Sequence, residues 1–214
     1  MTIERAPRNR VGLAVNADAN AVARRAIDPR SAALIAGVTG ACALRVALGG
    51  TTAADSYPAA VIFAGALIAL SIGAGWRISN DARWRRSIRI GLAGAAVLVA
   101  AWITATPHLP LAAGQHLGAL LVWTPVVALV AVAEEIALRG ALFGALLEAG
   151  GAPLAVALTS IAFGVMHVPL YGWGALPLDI AVGVLLGGLR LLSGGVTAPA
   201  VAHVLADLAG GWLG

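Results

Sequence analysis

Long apolar runs separated by short polar segments make up most of the chain after residue 30. Runs of about 20 residues with few charges predict helices that cross the roughly 30 Å of hydrocarbon in a membrane. The expected fold class is therefore all-α, a polytopic integral membrane bundle of seven or eight transmembrane helices. The ordinary spans are predicted at residues 31–48, 59–76, 88–105, 153–168, 175–192 and 196–213.

One further apolar segment, residues 116–150, is too long for a simple crossing. At a rise of 1.5 Å per residue, a single helix of this length would extend for roughly 50 Å. The segment is either one strongly tilted helix that projects from the membrane or two pieces broken near Glu134. The sequence leaves both readings open, and they give seven and eight spans respectively.

Composition and charge exclude a soluble domain and suggest an orientation. Hydrophobic residues make up 60% of the chain and charged residues only 11%, against roughly 25% charged in a soluble protein. All 14 basic residues are Arg, and most lie within residues 5–30 and 77–89, whereas the loops at 50–57 and 106–115 contain none. The positive-inside rule explains this pattern with a cytoplasmic N-terminus in the cell membrane, so no nucleic-acid partner is expected.

The same pattern divides the chain into a disordered cytoplasmic tail at residues 1–30 and a transmembrane domain at residues 31–214. Arg45 lies near the end of the first span, where its side chain is expected to snorkel towards the interface. Two glycine pairs are spaced for helix contact and permit a homodimer: Gly140 with Gly144, and Gly183 with Gly187.

Ionisable residues are rare in the apolar second half, and three groups of side chains that include them share a spacing of one helical turn. The groups are Glu134-Glu135 with Arg139, Phe163 with His167, and His203 with Asp207. Residues four apart share a helix face, so Glu135 is predicted to pair with Arg139, while Glu134 is rotated by about 100° and faces elsewhere.

Glu134, His167 and His203 are expected to converge, because separate buried polar groups without partners are costly. A Glu and a His around one water can act as a general base, and a second His can stabilise an oxyanion. The chemistry that these groups favour is hydrolysis of a peptide bond.

The three motifs resemble those of the type II CAAX prenyl endopeptidases and their bacterial relatives, the CPBP or lysostaphin-resistance-like intramembrane glutamic proteases. The resemblance covers residues 116–210, through the stretches Glu134-Glu-Ile-Ala-Leu-Arg139, Phe163-Gly-Val-Met-His167 and His203-Val-Leu-Ala-Asp207. It implies that Glu134 and His167 activate water and that His203 and Asp207 support the oxyanion.

The resemblance also implies structural roles for Glu135 and Arg139, and Phe163 is interpreted as packing support for His167. Asp207 departs from the better-studied members, which have Asn there. An ionised Asp cannot donate to an oxyanion, so Asp207 is either protonated, orients His203 or has another role.

No metal or other cofactor is expected, because the candidate ligands lie on three helices without the His-Glu-x-x-His spacing of zinc proteases. Zinc bound by Glu134, His167 and His203 is the less favoured alternative. The expected partners are the lipid bilayer and a membrane-anchored peptide or protein substrate.

Two other classes of function stay open. The first is a non-catalytic membrane scaffold or bacteriocin-immunity-type protein that uses the site for binding. The second is a proton-coupled transporter in which Glu134, the histidines and Asp179 form a relay. An aspartyl dyad of Asp179 with Asp207 and a serine site at Ser193 are disfavoured, because the motifs of such proteases are absent.

Overall fold

The structure is a computed structural model that describes residues 28–50, 55–77, 83–105 and 117–213, and these ranges are almost entirely helical. Residues 1–27 of the predicted tail, which the sequence places at residues 1–30, and the 106–115 loop lie outside the described residues. The described helices are α1 (Pro29–Gly49), α2 (Tyr57–Gly73), α3 (Trp84–Ala105), α4 (Leu117–Glu135), a π-helix (Ile136–Leu142), α5 (Phe143–Tyr171), α6 (Leu176–Ser193) and α7 (Thr197–Leu213).

The all-α prediction is confirmed, and the described ranges contain no strand. Four helical segments have the length and hydropathy of a membrane crossing, which indicates a membrane protein: Pro29–Gly49, Trp84–Thr104, Gly118–Tyr171 and Leu176–Ser193. The counts of seven and eight spans, and the cytoplasmic N-terminus, stay predictions.

The long fourth segment is helical through Glu134 rather than broken there. Helix α4 leads directly into the π-helix, which leads into α5. The backbone leaves helical geometry later, at Gly151, whose φ of 78° is a conformation that favours glycine. Pro153 follows two residues on and cannot donate to the helical ladder, which favours a kink at this place.

Helix contacts within the chain use three of the four glycines predicted for such contacts. Gly183 and Gly187 of α6 face Ser160 and Val156 of α5, and Gly140 faces the indole of Trp76. The fourth, Gly144, has no other residue near the position of a Cβ. Helix α5 packs extensively on α6 and helix α3 on α7, so much of the small-residue surface is already covered within one chain. A homodimer stays a prediction.

Arg45 corrects one expectation, because its side chain turns into the bundle. Its residue is only 7% exposed, and its guanidinium lies over the ring of Phe63 on α2 at 5.1 Å. Arg45 shares the inner face of α1 with Leu34, Val38 and Ala41, which are all buried. Position on this face, rather than distance from the helix end, decides where the side chain points.

The contact between α5 and α6 at Gly183 leaves no space for a larger side chain. A Cβ at Gly183 would lie 2.8 Å from the Cα of Ser160, so Gly183→Ala must push α5 and α6 apart. We expect the free energy of unfolding to fall by about 1–3 kcal/mol, the usual cost of overpacking. Thermal and denaturant unfolding of the purified protein in detergent measures this.

Gly188→Ala on the same helix is the matched control, because nothing lies within 4 Å of its Cβ position. This variant should unfold like the wild type or be up to about 1 kcal/mol more stable, from the better helix propensity of Ala. Equal stability of the two variants would contradict the proposed α5–α6 contact.

Candidate active site

Two adjacent carboxylates end helix α4, and both are withdrawn from solvent. Glu134 is 2% exposed and Glu135 is not exposed at all. The π-helix that follows widens the helical turn at this position, and such π-helical insertions occur frequently at functional sites. Since successive residues on a helix point about 100° apart, the two side chains meet different partners.

Glu135 forms the structural centre of the site. Its Oε1 accepts a hydrogen bond from Arg139 Nη1 at 2.7 Å and a second from His203 Nδ1 at 3.0 Å. Arg139 also donates through Nη2 to the carbonyl of Gly183 at 3.2 Å, and its residue is fully buried. The predicted pair of Glu135 with Arg139 therefore forms, and it joins α4 and the π-helix to both α6 and α7.

Glu134 faces the other way, between the two histidines. Its Oε2 lies 4.0 Å from Nε2 of His167 and 3.9 Å from Nε2 of His203. The structure thus brings together three side chains from α4, α5 and α7, as the cost of separate buried polar groups led us to expect.

Each imidazole is oriented through its other nitrogen. His167 Nδ1 donates to the carbonyl oxygen of Phe163 at 2.7 Å, and His203 Nδ1 donates to Glu135. Because a carbonyl oxygen accepts only, the proton of a neutral His167 must be on Nδ1, and its Nε2 presents a lone pair to Glu134. A hydrogen bond at the second nitrogen is the usual way in which proteins select a histidine tautomer.

Aromatic rings hold the histidines in place. Phe163 contacts both, with ring centroids 4.5 Å from His167 and 5.2 Å from His203, and its other partner is the Arg139 guanidinium at 4.8 Å. Tyr171 stacks on the other side of His167 at 5.7 Å. Sequence reasoning identified Phe163 but missed Tyr171, although the spacing of four residues from His167 was a usable signal.

Asp207 lies one turn after His203 and beside the same imidazole. Its Oδ2 is 3.5 Å from His203 Nε2, and its side chain is 41% exposed. Asp207 therefore approaches His203 from the side opposite Glu135. Of the three readings that the sequence left open, this contact fits best with an Asp that orients His203.

A small cavity opens beside Glu134 and His167. The space open to the centre of a water molecule is about 10 Å³. This is close to the minimum that one water needs. His203 and Asp207 are not among its lining residues, which are Cys42, Arg45, Val46, Phe63, Glu134, Met166, His167 and Leu170. Helices α1 and α2 thus contribute to a site that sequence reasoning had placed entirely in the second half of the chain.

The residues of the two disfavoured protease sites, Ser193 and the pair Asp179 and Asp207, do not form a catalytic arrangement in the described ranges. Ser193 donates its hydroxyl to the carbonyl of Leu189 at 2.8 Å. Within the described ranges, no hydrogen bond connects Asp179 with Asp207, and Asp179 Oδ2 is buried without a partner. The described residues also contain no group of three or more His, Cys, Asp or Glu side chains arranged to hold a metal. Independence from metal stays a prediction.

An all-helical membrane protein with buried carboxylates and two facing histidines has the features of an intramembrane hydrolase. The comparison with known families supports that class. Residues 115–209 match the model of the family described as Type II CAAX prenyl endopeptidase Rce1-like, which confirms the family resemblance of the three motifs. The matched region is a little under half of the chain and extends from just before α4 to near the end of α7.

No curated protein and no solved structure matches the chain. The match of residues 115–209 supports the class of CAAX-type proteases, which are hydrolases. The matched region contains Glu134, His167 and His203, whereas α1, α2 and α3 lie outside it.

Breaking the buried ion pair is expected to destabilise the whole bundle. Arg139→Met leaves Glu135 as a buried charge without its guanidinium, so we expect the free energy of unfolding to fall by about 3–5 kcal/mol. Glu135→Gln should cost a similar amount. The double variant should lose clearly less than the sum of the two, because it removes both charges.

Denaturant unfolding of the four proteins measures the coupling, and Glu148→Gln is the matched control. Glu148 pairs with Arg30 at 3.8 Å on the surface, where the two side chains are 78% and 44% exposed, so its loss should have no measurable effect. Additive losses at Glu135 and Arg139 would show that the two charges are not coupled.

Proposed function

We propose that this protein is an intramembrane glutamic endopeptidase of the CAAX-processing type, which hydrolyses a peptide bond of a membrane-anchored peptide or protein. One observation carries the proposal: Glu134 Oε2 lies about equally far from the Nε2 atoms of two histidines that are oriented through their Nδ1 atoms. The family match supplies the reaction class and the kind of substrate.

The distance of 4.0 Å between Glu134 and His167 suits a bridging water. One water can donate a hydrogen bond of about 2.8 Å to each of two acceptors at this separation. The adjoining cavity has about the volume that a single water requires. The carboxylate and the imidazole would then both accept from the water and leave a lone pair of its oxygen free for attack.

In the proposed reaction, the water oxygen attacks the carbonyl carbon of the substrate while Glu134 takes one proton from the water. The carbonyl oxygen becomes an oxyanion in a tetrahedral intermediate. The intermediate then collapses, the C–N bond breaks, and the proton held by Glu134 passes to the leaving amine. Collapse leaves the new C-terminus as a carboxylic acid, which passes its remaining proton to solvent and becomes a carboxylate, so no step requires an oxidant or a metal.

His203 is the residue that we assign to electrostatic support of this reaction, as an imidazolium whose Nδ1 donates to Glu135 and whose Nε2–H can also donate. It is 4% exposed and lies among the carboxyl groups of Glu134, Glu135 and Asp207. Donors that are oriented before the reaction stabilise developing charge without a cost of reorganisation. Glu135 and Asp207 would provide this orientation for the imidazole, and Phe163 would do the same for His167 through its backbone carbonyl.

Cleavage by the purified protein tests the proposal. A library of membrane-anchored peptides in detergent or liposomes should yield defined products with the wild type. Glu134→Gln and His167→Ala should lower the rate by about 10²–10⁴-fold, the range typical of general acid–base groups. Mass spectrometry of the products with and without a chelator also tests the expected independence from zinc.

Glu148→Gln is the control for loss of one carboxyl group, because Glu148 is exposed and pairs with Arg30. Loss of cleavage with chelator would assign a metal to Glu134, His167 and His203. A folded wild type that cleaves nothing would favour the scaffold function, and proton-dependent flux in liposomes would favour the transporter.

Asp207 offers a separate test of how the site supports His203. If Asp207 acts by accepting from the Nε2–H of a doubly protonated His203, Asp207→Asn keeps an acceptor oxygen in place and should retain the rate within about tenfold. Asp207→Ala removes the acceptor and should lower kcat by a further tenfold or more, with little change in KM. Equal activity of the Asn and Ala variants would contradict the orienting role.

A further inference from the structure

Arg45 is a buried cation for which neither the family match nor the three motifs provides a role. It lies on α1, far before the matched residues 115–209. Its residue is 7% exposed, and its Nε is buried without a hydrogen-bond partner. No ion pair in the described part of the chain includes Arg45, and Glu134 interacts with its charge only across the cavity that both residues line. A buried guanidinium with an unused donor is costly unless an anion meets it during function.

The position of Arg45 shows where such an anion would lie. Arg45 lines the same small cavity as Glu134 and His167, and it is the only lining residue with a permanent positive charge among those described. Phe63 holds the guanidinium from the α2 side, at 5.1 Å from its ring centroid. His203, in contrast, contacts Glu134 but does not line this cavity.

We propose that Arg45 binds an anionic oxygen of the peptide substrate where the substrate meets the water-sized cavity beside Glu134. The proposal rests on the protease function above, and it adds a residue from outside the family region to the site. An arginine suits this task because its guanidinium stays protonated and offers a fork of N–H donors to oxygen anions. Its attraction for an anion is also stronger in a cavity with little water than at the surface.

Two oxygens of a peptide substrate have the required charge. One is the oxyanion that forms when the water oxygen bonds to the carbonyl carbon and the carbonyl electron pair moves onto oxygen. The other is the terminal carboxylate of a peptide that is cut near its C-terminus. Both would accept from Arg45, and they differ in whether the charge exists before the reaction or only within it.

Three non-cleavable analogues of the best-binding library peptide separate these sources. A phosphinic analogue with an amidated C-terminus carries a negative charge only at the reaction centre. A ketomethylene analogue with a free C-terminal acid carries it only at the end, and the same analogue with an amidated terminus carries neither. Calorimetric affinities are compared for wild type, Arg45→Met, Arg45→Gln and Arg45→Lys.

Arg45→Met should weaken binding of one charged analogue by about 10- to 100-fold, as expected for loss of a charged hydrogen bond, and leave the neutral analogue within about threefold. Loss with the phosphinic analogue identifies the oxyanion, and loss with the free acid identifies the terminal carboxylate. Arg45→Lys should restore part of the affinity for the same analogue. Equal affinities of wild type and Arg45→Met for all three analogues would overturn the proposal.

The controls separate binding from folding and from turnover. Arg30→Met removes another Arg of α1, whose side chain is 44% exposed, and should bind all analogues like the wild type. Arg45→Gln keeps polarity in the cavity, and it decides the question if the Met variant does not fold. Because the analogues are not cleaved, absence of proteolysis would count against the proposed function alone, whereas unchanged affinities count against Arg45 alone.

Discussion

The hydrogen-bonded ion pair of Glu135 and Arg139 is the interaction on which the rest of the site depends. Both residues are fully buried, and charges in such surroundings persist only when each has partners of the right geometry. Glu135 Oε1 accepts from Arg139 and from His203, and Arg139 also donates to the carbonyl of Gly183. These contacts connect α4, the π-helix, α6 and α7, so the position of one imidazole follows from an interaction in the core of the bundle.

The adjacent residue, Glu134, lacks the close charged partner that Glu135 has. No guanidinium pairs with it in the described residues, and its contacts are two imidazole nitrogens at nearly 4 Å. Two adjacent glutamates in one helix thus have different roles, because successive side chains point in different directions. Glu135 is held tightly and keeps the site together, while Glu134 has space beside it for a small molecule such as water.

Much of this arrangement could be predicted from the sequence. The all-helical fold follows from the apolar runs, and the pairing of Glu135 with Arg139 follows from a spacing of four residues. The convergence of Glu134, His167 and His203 followed from the cost of isolated polar groups in lipid. Those arguments need only local periodicity and burial, and they worked because each residue concerned lies on a regular helix.

The parts that the sequence did not provide depend on tertiary packing. A π-helix differs from an α-helix by a single extra residue in a turn, which no hydrophobic pattern marks. The kink at Gly151 depends on a backbone φ that only the folded chain shows. The sequence predicted a snorkelling Arg45, because it lies near a helix end. The direction of its side chain depends instead on which face of α1 is covered by α2.

The place of Arg45 changes how the two halves of the chain relate to each other. The family match covers α4 to α7, and that region holds all the carboxylates and histidines of the site. Yet the cavity beside Glu134 is closed by Cys42, Arg45 and Val46 from α1 and by Phe63 from α2. A site completed by helices outside the matched region can keep its general-base chemistry while those helices determine what enters. Since function resides in the site rather than in the fold, the first helices are where we expect substrate selection in this protein to be encoded.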